Sequence, residues 1–145
     1  MERFYRGLAA GVIAGIPMNI WSFVSYALGF TKRRYLDWAG FMLYGTPPKT
    51  LWEQAYALLA HFGWVGFLGV LFAYIWPRLF AELDIFKGMF YSIAIAFFLY
   101  AVPIILQVPY LNQADLLTVV SSHIGALLWG AVLAYILIRL EDEVH

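Results

Sequence analysis

Hydrophobic positions gather into four long runs, at about residues 7–30, 51–76, 87–108 and 115–140, and most of the charge falls between or at the ends of them. At 1.5 Å per residue, each run is long enough to cross a hydrocarbon core of about 30 Å as a helix. The pattern predicts an all-α integral membrane protein with four transmembrane helices. The first run, about 24 residues, is too long for a signal-peptide core and is read as a mature helix. A further element is expected at 31–49, where Lys32, Arg33 and Arg34 precede Tyr35, Leu36, Trp38, Phe41, Met42, Leu43 and Tyr44. Cations beside aromatic and aliphatic side chains suit a short interfacial segment in the headgroup layer, as an anchor or as a contact for anionic lipid.

Part of the pattern occurs twice. Residues 47–63, PPKTLWEQAYALLAHFG, align without a gap on residues 109–125, PYLNQADLLTVVSSHIG. Pro47, Thr50, Glu53, His61 and Gly63 fall on Pro109, Asn112, Asp115, His123 and Gly125. After a one-residue slip, 69–79 aligns on 130–140. An internal duplication is the direct reading. It makes one membrane domain of two tandem helical hairpins, repeat 1 over about 3–79 and repeat 2 over about 84–140. Two crossings return the chain to its starting side, so the hairpins form a parallel repeat about an axis along the membrane normal.

Thr50 with Glu53, and Asn112 with Asp115, have the spacing of a helix cap and its third residue. Carboxylates there also complement the helix dipole. Glycine supplies faces for close helix approach: Gly7, Gly11 and Gly15 in the first run, Gly63, Gly66 and Gly69 in the second, Gly125 and Gly130 in the fourth. Pro17 and Pro103 are predicted to kink their helices. Asn19, just past Pro17, is placed either to bond the carbonyl that proline frees or to line a polar site.

Composition narrows the function classes. The chain is 63% hydrophobic and 12% charged, against about 25% charged in soluble domains. The lipid bilayer is therefore the expected surrounding. Net charge is zero and no basic run could follow a phosphate backbone, so no nucleic-acid partner is expected. With no cysteine, disulfides, thiolate metal sites and cysteine nucleophiles are excluded. No HExxH or GxSxG motif occurs, so nothing in the sequence points to an enzyme. Arg3, Arg6, Arg78, Lys87 and Arg139 share the side of the termini, and Lys32, Arg33, Arg34 and Lys49 lie on the other. Only the lack of a cation at 109–114 tips the termini towards the cytoplasm.

His61 and His123 carry the candidate chemistry. Each lies eleven residues past its cap position, about 16 Å along a helix and near mid-depth. Ionisable groups at that depth are costly and mark candidate sites, although a neutral imidazole is the cheapest of them. Three readings follow, in order. The helices form a pathway for a proton, ion or small solute, with Glu53 and Asp115 as vestibule acids; four helices are few for a pore, so this implies a homo-oligomer. Alternatively the protein is a scaffold whose glycine faces bind other membrane proteins. Third, facing His61 and His123 are axial ligands of a b-type haem, the only cofactor or metal role the pattern offers. Beside these stands a structural role, each imidazole bonding a neighbouring carbonyl or a hydroxyl such as Ser22, Ser25, Ser121 or Ser122.

Lys87-Gly88 opening the third run, Pro103, Pro109 and Gly130-Ala131-Val132-Leu133-Ala134-Tyr135 together resemble the small four-helix conserved membrane proteins of the YqhR type from spore-forming bacteria. The resemblance lies mainly in the second half. It implies four spans and a bacterial plasma membrane, and no mechanism.

Overall fold

The structure is a computed structural model that describes residues 1–142. The last three residues of the acidic tail, expected outside the membrane, lie beyond them. Among the described residues five helices follow one another: α1 Arg3–Ala27, α2 Tyr35–Tyr44, α3 Leu51–Leu79, α4 Ile85–Ile105 and α5 Leu116–Asp142. All except α2 are long and apolar enough to cross a membrane. At 10 residues α2 is about 15 Å long, too short to do so. It occupies the centre of the expected interfacial segment.

Local chemistry sets the helix ends. Thr50 Oγ1 accepts the Glu53 amide at 3.1 Å, and the Glu53 carboxylate accepts the Lys49 amide at 2.7 Å. The carboxylate thus closes one residue earlier than a capping box would. The fourth long helix departs further from expectation: Asn112 does not cap it. α5 begins at Leu116, and the Asp115 carbonyl accepts the Val119 amide at 3.1 Å. Its side chain accepts from Thr118 Oγ1 at 2.7 Å. Asp115, the shorter carboxylate, is itself the cap. Asp84 caps α4, accepting the Lys87 amide at 2.9 Å. Pro17 stands inside α1, which continues through it, whereas Pro103 falls in the last turn of α4 and acts at its end.

α1 packs on α3 and on α5, α4 packs on α5, and α2 packs on α3. The interior holds small and polar residues beside a few large ones. Ala10, Ala14, Ser25 and Thr118 are fully buried with Leu133, while Ile16, Ile20, Phe90, Phe97 and Phe98 face outward. That inversion of a water-soluble pattern places apolar side chains where acyl chains would lie.

Both helix pairs close on glycine. A Cβ on Gly7 would stand 2.8 Å from the Gly69 carbonyl oxygen, and Gly88 and Gly130 meet each other's carbonyl oxygens closely in the same way. Gly11 meets the Val65 carbonyl, Gly15 the Phe62 ring, and Gly66 the Leu8 and Val12 side chains. Two expected packing glycines do something else. Among the described residues nothing lies within 4 Å of where a Cβ on Gly63 would stand, and Gly125 makes room for the Tyr35 hydroxyl rather than for a helix.

Candidate functional site

Consecutive helices α3 and α4 do not lie together. They touch through Tyr91, whose ring is 4.6 Å from that of Phe72 and whose hydroxyl donates to the Leu68 carbonyl at 2.9 Å. On the α2 side of this contact a cleft of about 520 Å³ separates them. Its floor is buried: Val65 and Leu68 of α3, Ser92 and Ala96 of α4, Ala126 and Trp129 of α5. Its rim is exposed, with Trp64 on one side and Phe98 and Val102 on the other. α2 crosses the wide end, packed on α3, with Trp38 edge-on to Tyr100 of α4 at 5.1 Å. A concave, mostly apolar cavity of this size is the usual form of a small-molecule site.

His61 sits on the cleft wall and is 6% exposed. The Asn19 side-chain nitrogen is 2.8 Å from the Gly15 carbonyl oxygen and 3.1 Å from His61 Nδ1. A carbonyl only accepts, so the Asn19 atom there must be its amide nitrogen, and its second hydrogen goes to His61. His61 Nδ1 therefore carries no proton, the ring is neutral, and its N–H is at Nε2. The carbonyl that Asn19 takes is not the one Pro17 frees, which belongs to Ile13. Tyr35 stacks on the other side of His61, ring centres 5.1 Å apart.

His123 is the opposite case. Its Nδ1 is 2.7 Å from the Val119 carbonyl oxygen. A carbonyl only accepts, so Nδ1 carries a proton there. The two imidazoles do not face each other, because α3 and α5 are not packed together. A strip of hydrogen bonds and rings joins them instead. Tyr35, stacked on His61, donates its hydroxyl to the Ser122 carbonyl at 2.6 Å. Tyr100 donates to Ser122 Oγ at 2.8 Å and lies 5.4 Å from His123.

This arrangement does not fit a bis-histidine haem. An axial ligand needs a lone pair on Nε2, and at His61 that atom carries the proton. Glu53 and Asp115 are spent at their own helix starts, and the Thr118 hydroxyl beside Asp115 holds its carboxyl below the usual carboxylate range.

Sequence reasoning found His61, His123 and Asn19, named Ser122 only as one hydroxyl an imidazole could bond and Tyr35 only as part of the interfacial segment, and passed over Tyr100. A signal for Tyr100 was present. Asn19 is twelve residues past Gly7, and Tyr100 is twelve past Gly88. The position that meets the histidine is the same in both halves, filled once by an amide and once by a phenol. No protein-family model, curated protein or solved structure matches the chain.

Proposed function

We propose that the chain spans a membrane, expected to be a bacterial plasma membrane as the YqhR-type resemblance implies, and that it binds and moves a small lipophilic solute taken up from the bilayer through the cleft between α3 and α4. The cleft carries this reading. It is apolar, opens between two helices whose outer faces suit acyl chains, and reaches from α2 to mid-length of the spans. A tandem hairpin repeat explains the framework: the glycine contact of α1 with α3 recurs between α4 and α5 at matching sequence positions.

A proton or ion pathway has less to draw on, since both acids are engaged as caps and the imidazoles are apart. A cleft facing lipid is complete within one chain, so this reading does not need the homo-oligomer that a pore would require. The test is native mass spectrometry of protein released from lipid nanodiscs. The wild type should retain an apolar molecule, and Ala96→Trp or Ala126→Phe, which fill the cleft, should lose it. Equal retention by both variants would reject the cleft as the site. Reconstituted in vesicles, the wild type should speed exchange of a fluorescent lipophile between leaflets, and the filled variants should not.

An assembly role draws on one observation. Gly63 leaves a bare patch on α3 with open space beside it. As the chain has no cysteine, Gly63→Cys gives a clean test: a disulfide-linked dimer in native membranes supports a partner helix at that face, and its absence argues against one.

A further inference from the structure

We propose that the cleft selects lipophilic molecules whose head carries a carbonyl oxygen, and that His61 Nε2–H is the donor that holds it. The inference rests on the cleft reading above and gives it a ligand class. It begins with an accounting of donors on the buried wall. Three buried side chains there can donate: His61, Ser92 and Trp129. Ser92 Oγ gives its proton to the Met89 carbonyl at 2.8 Å, and Trp129 Nε1 gives its own to the Gly11 carbonyl at 3.0 Å. The phenols at the polar end are spent as well, Tyr35 on the Ser122 carbonyl and Tyr100 on Ser122 Oγ. His61 Nδ1 is taken by Asn19. The Ser122 hydroxyl and the Trp38 and Trp64 indoles also line the cleft but belong to half-buried or exposed residues; what is left among the buried side chains is one N–H, at His61 Nε2, which has no protein partner among the described residues.

An unpaired donor against hydrocarbon costs free energy until an acceptor meets it. Water suits such a spot poorly, because it needs two to four polar partners. A ligand oxygen needs only this one. The tautomer also fixes the sense of selection. Because Asn19 can only donate towards Nδ1, the ring cannot reverse to present a lone pair, so a ligand offering only a donor is refused. The Tyr35 face at 5.1 Å keeps the imidazole in plane. The apolar remainder of the wall takes a chain or ring body. Two membrane-soluble sources share this chemistry: a quinone with an alkyl or isoprenoid tail, and the ester carbonyl of a glycerolipid.

The experiment measures binding to detergent-purified full-length protein by native mass spectrometry, with three probes: a decyl-substituted benzoquinone, a short-chain diacylglycerol and decylbenzene. At least one carbonyl probe should bind about tenfold tighter than decylbenzene, the value of one hydrogen bond of about 1.4 kcal/mol. In His61→Phe that advantage, read as the ratio of the carbonyl probe's affinity to that of decylbenzene in the same variant, should vanish. The probe that shows the advantage identifies the source. An advantage that survives His61→Phe, or no advantage in the wild type, overturns the carbonyl assignment and leaves the cleft standing. Failure of all three probes to bind removes both. Nitrogen-15 NMR of the wild-type ring supplies a readout that no variant has to fold for: protonated Nε2 with bare Nδ1 is expected, and the reverse overturns the proposal.

Discussion

Gly7 and Gly69 bring α1 and α3 together backbone against backbone: a Cβ on Gly7 would lie 2.8 Å from the Gly69 carbonyl oxygen and as close to the Val70 Cα. Backbone cannot swing aside as a side chain can, so added bulk there must part the helices. The same holds where Gly88 meets Gly130. Gly69→Val and Gly130→Val should each destabilise the bundle by about 1–3 kcal/mol, the usual cost of overpacking. Gly63→Ala should be neutral, since its Cβ enters open space. Denaturant titration in mixed micelles, followed by tryptophan emission, separates the two classes. Equal effects at Gly63 and Gly69 would show that glycine matters here for a reason other than close approach.

Acid should loosen the start of α5. The Thr118 hydroxyl, more than the Lys32 ammonium 3.9 Å away, lowers the Asp115 carboxyl below its ordinary value. A group depressed in the folded state contributes stability above its unfolded pKa, near 3.9 for aspartate, and loses it as pH falls through the lower folded value. Stability should thus be flat above about pH 5 and decline below it. Asp115→Asn, which keeps an oxygen for Thr118 but cannot ionise, should remove this part of the decline. Asp84 at the start of α4 is depressed as well, chiefly by the Lys87 amide, so the double variant Asp84→Asn/Asp115→Asn should be flatter still. A wild type and double variant with the same acid profile would rule out the caps as its source.

Length and hydropathy made the four long helices legible, because a run of about 20 apolar residues has few other uses. The recurring sequence pattern made His61 and His123 stand out, and the glycines of α1 announced a close contact. What could not be read was which helices become neighbours. The matched spacing implies equal depth for the two histidines, but facing rings required α3 against α5, and α1 packs on both instead. Asn112 matched Thr50 in register without matching it in role, because α5 starts only at Leu116, where the Asp115 carbonyl takes the Val119 amide. The cleft was invisible for the same reason: it depends on α3 and α4 diverging past Tyr91, and their helical periodicity is the same whether they diverge or not. Gly125 shows the limit most plainly, since its partner is a phenol from another element ninety residues earlier in the chain.

That contact yields a prediction with its own control. A Cβ on Gly125 would press on the Tyr35 hydroxyl, with the Tyr35 Cζ 3.1 Å and the Trp21 ring 3.2 Å away. In Gly125→Ala the phenol must leave the Ser122 carbonyl, which breaks a 2.6 Å hydrogen bond and shifts the ring that stacks on His61. A cost of about 1–3 kcal/mol is expected. Tyr35→Phe removes the hydroxyl that collides, at about 1 kcal/mol for the lost bond. In Tyr35→Phe, adding Gly125→Ala should therefore cost less than it does in the wild type, a coupling of about 0.5–3 kcal/mol for residues in contact. Retention of the apolar ligand should follow the same order, with the Gly125→Ala protein weakest, because only there is the His61 wall of the cleft displaced. Additive effects in both measurements would mean that Gly125 is required by α5 itself, and that Tyr35 is free to move without disturbing His61.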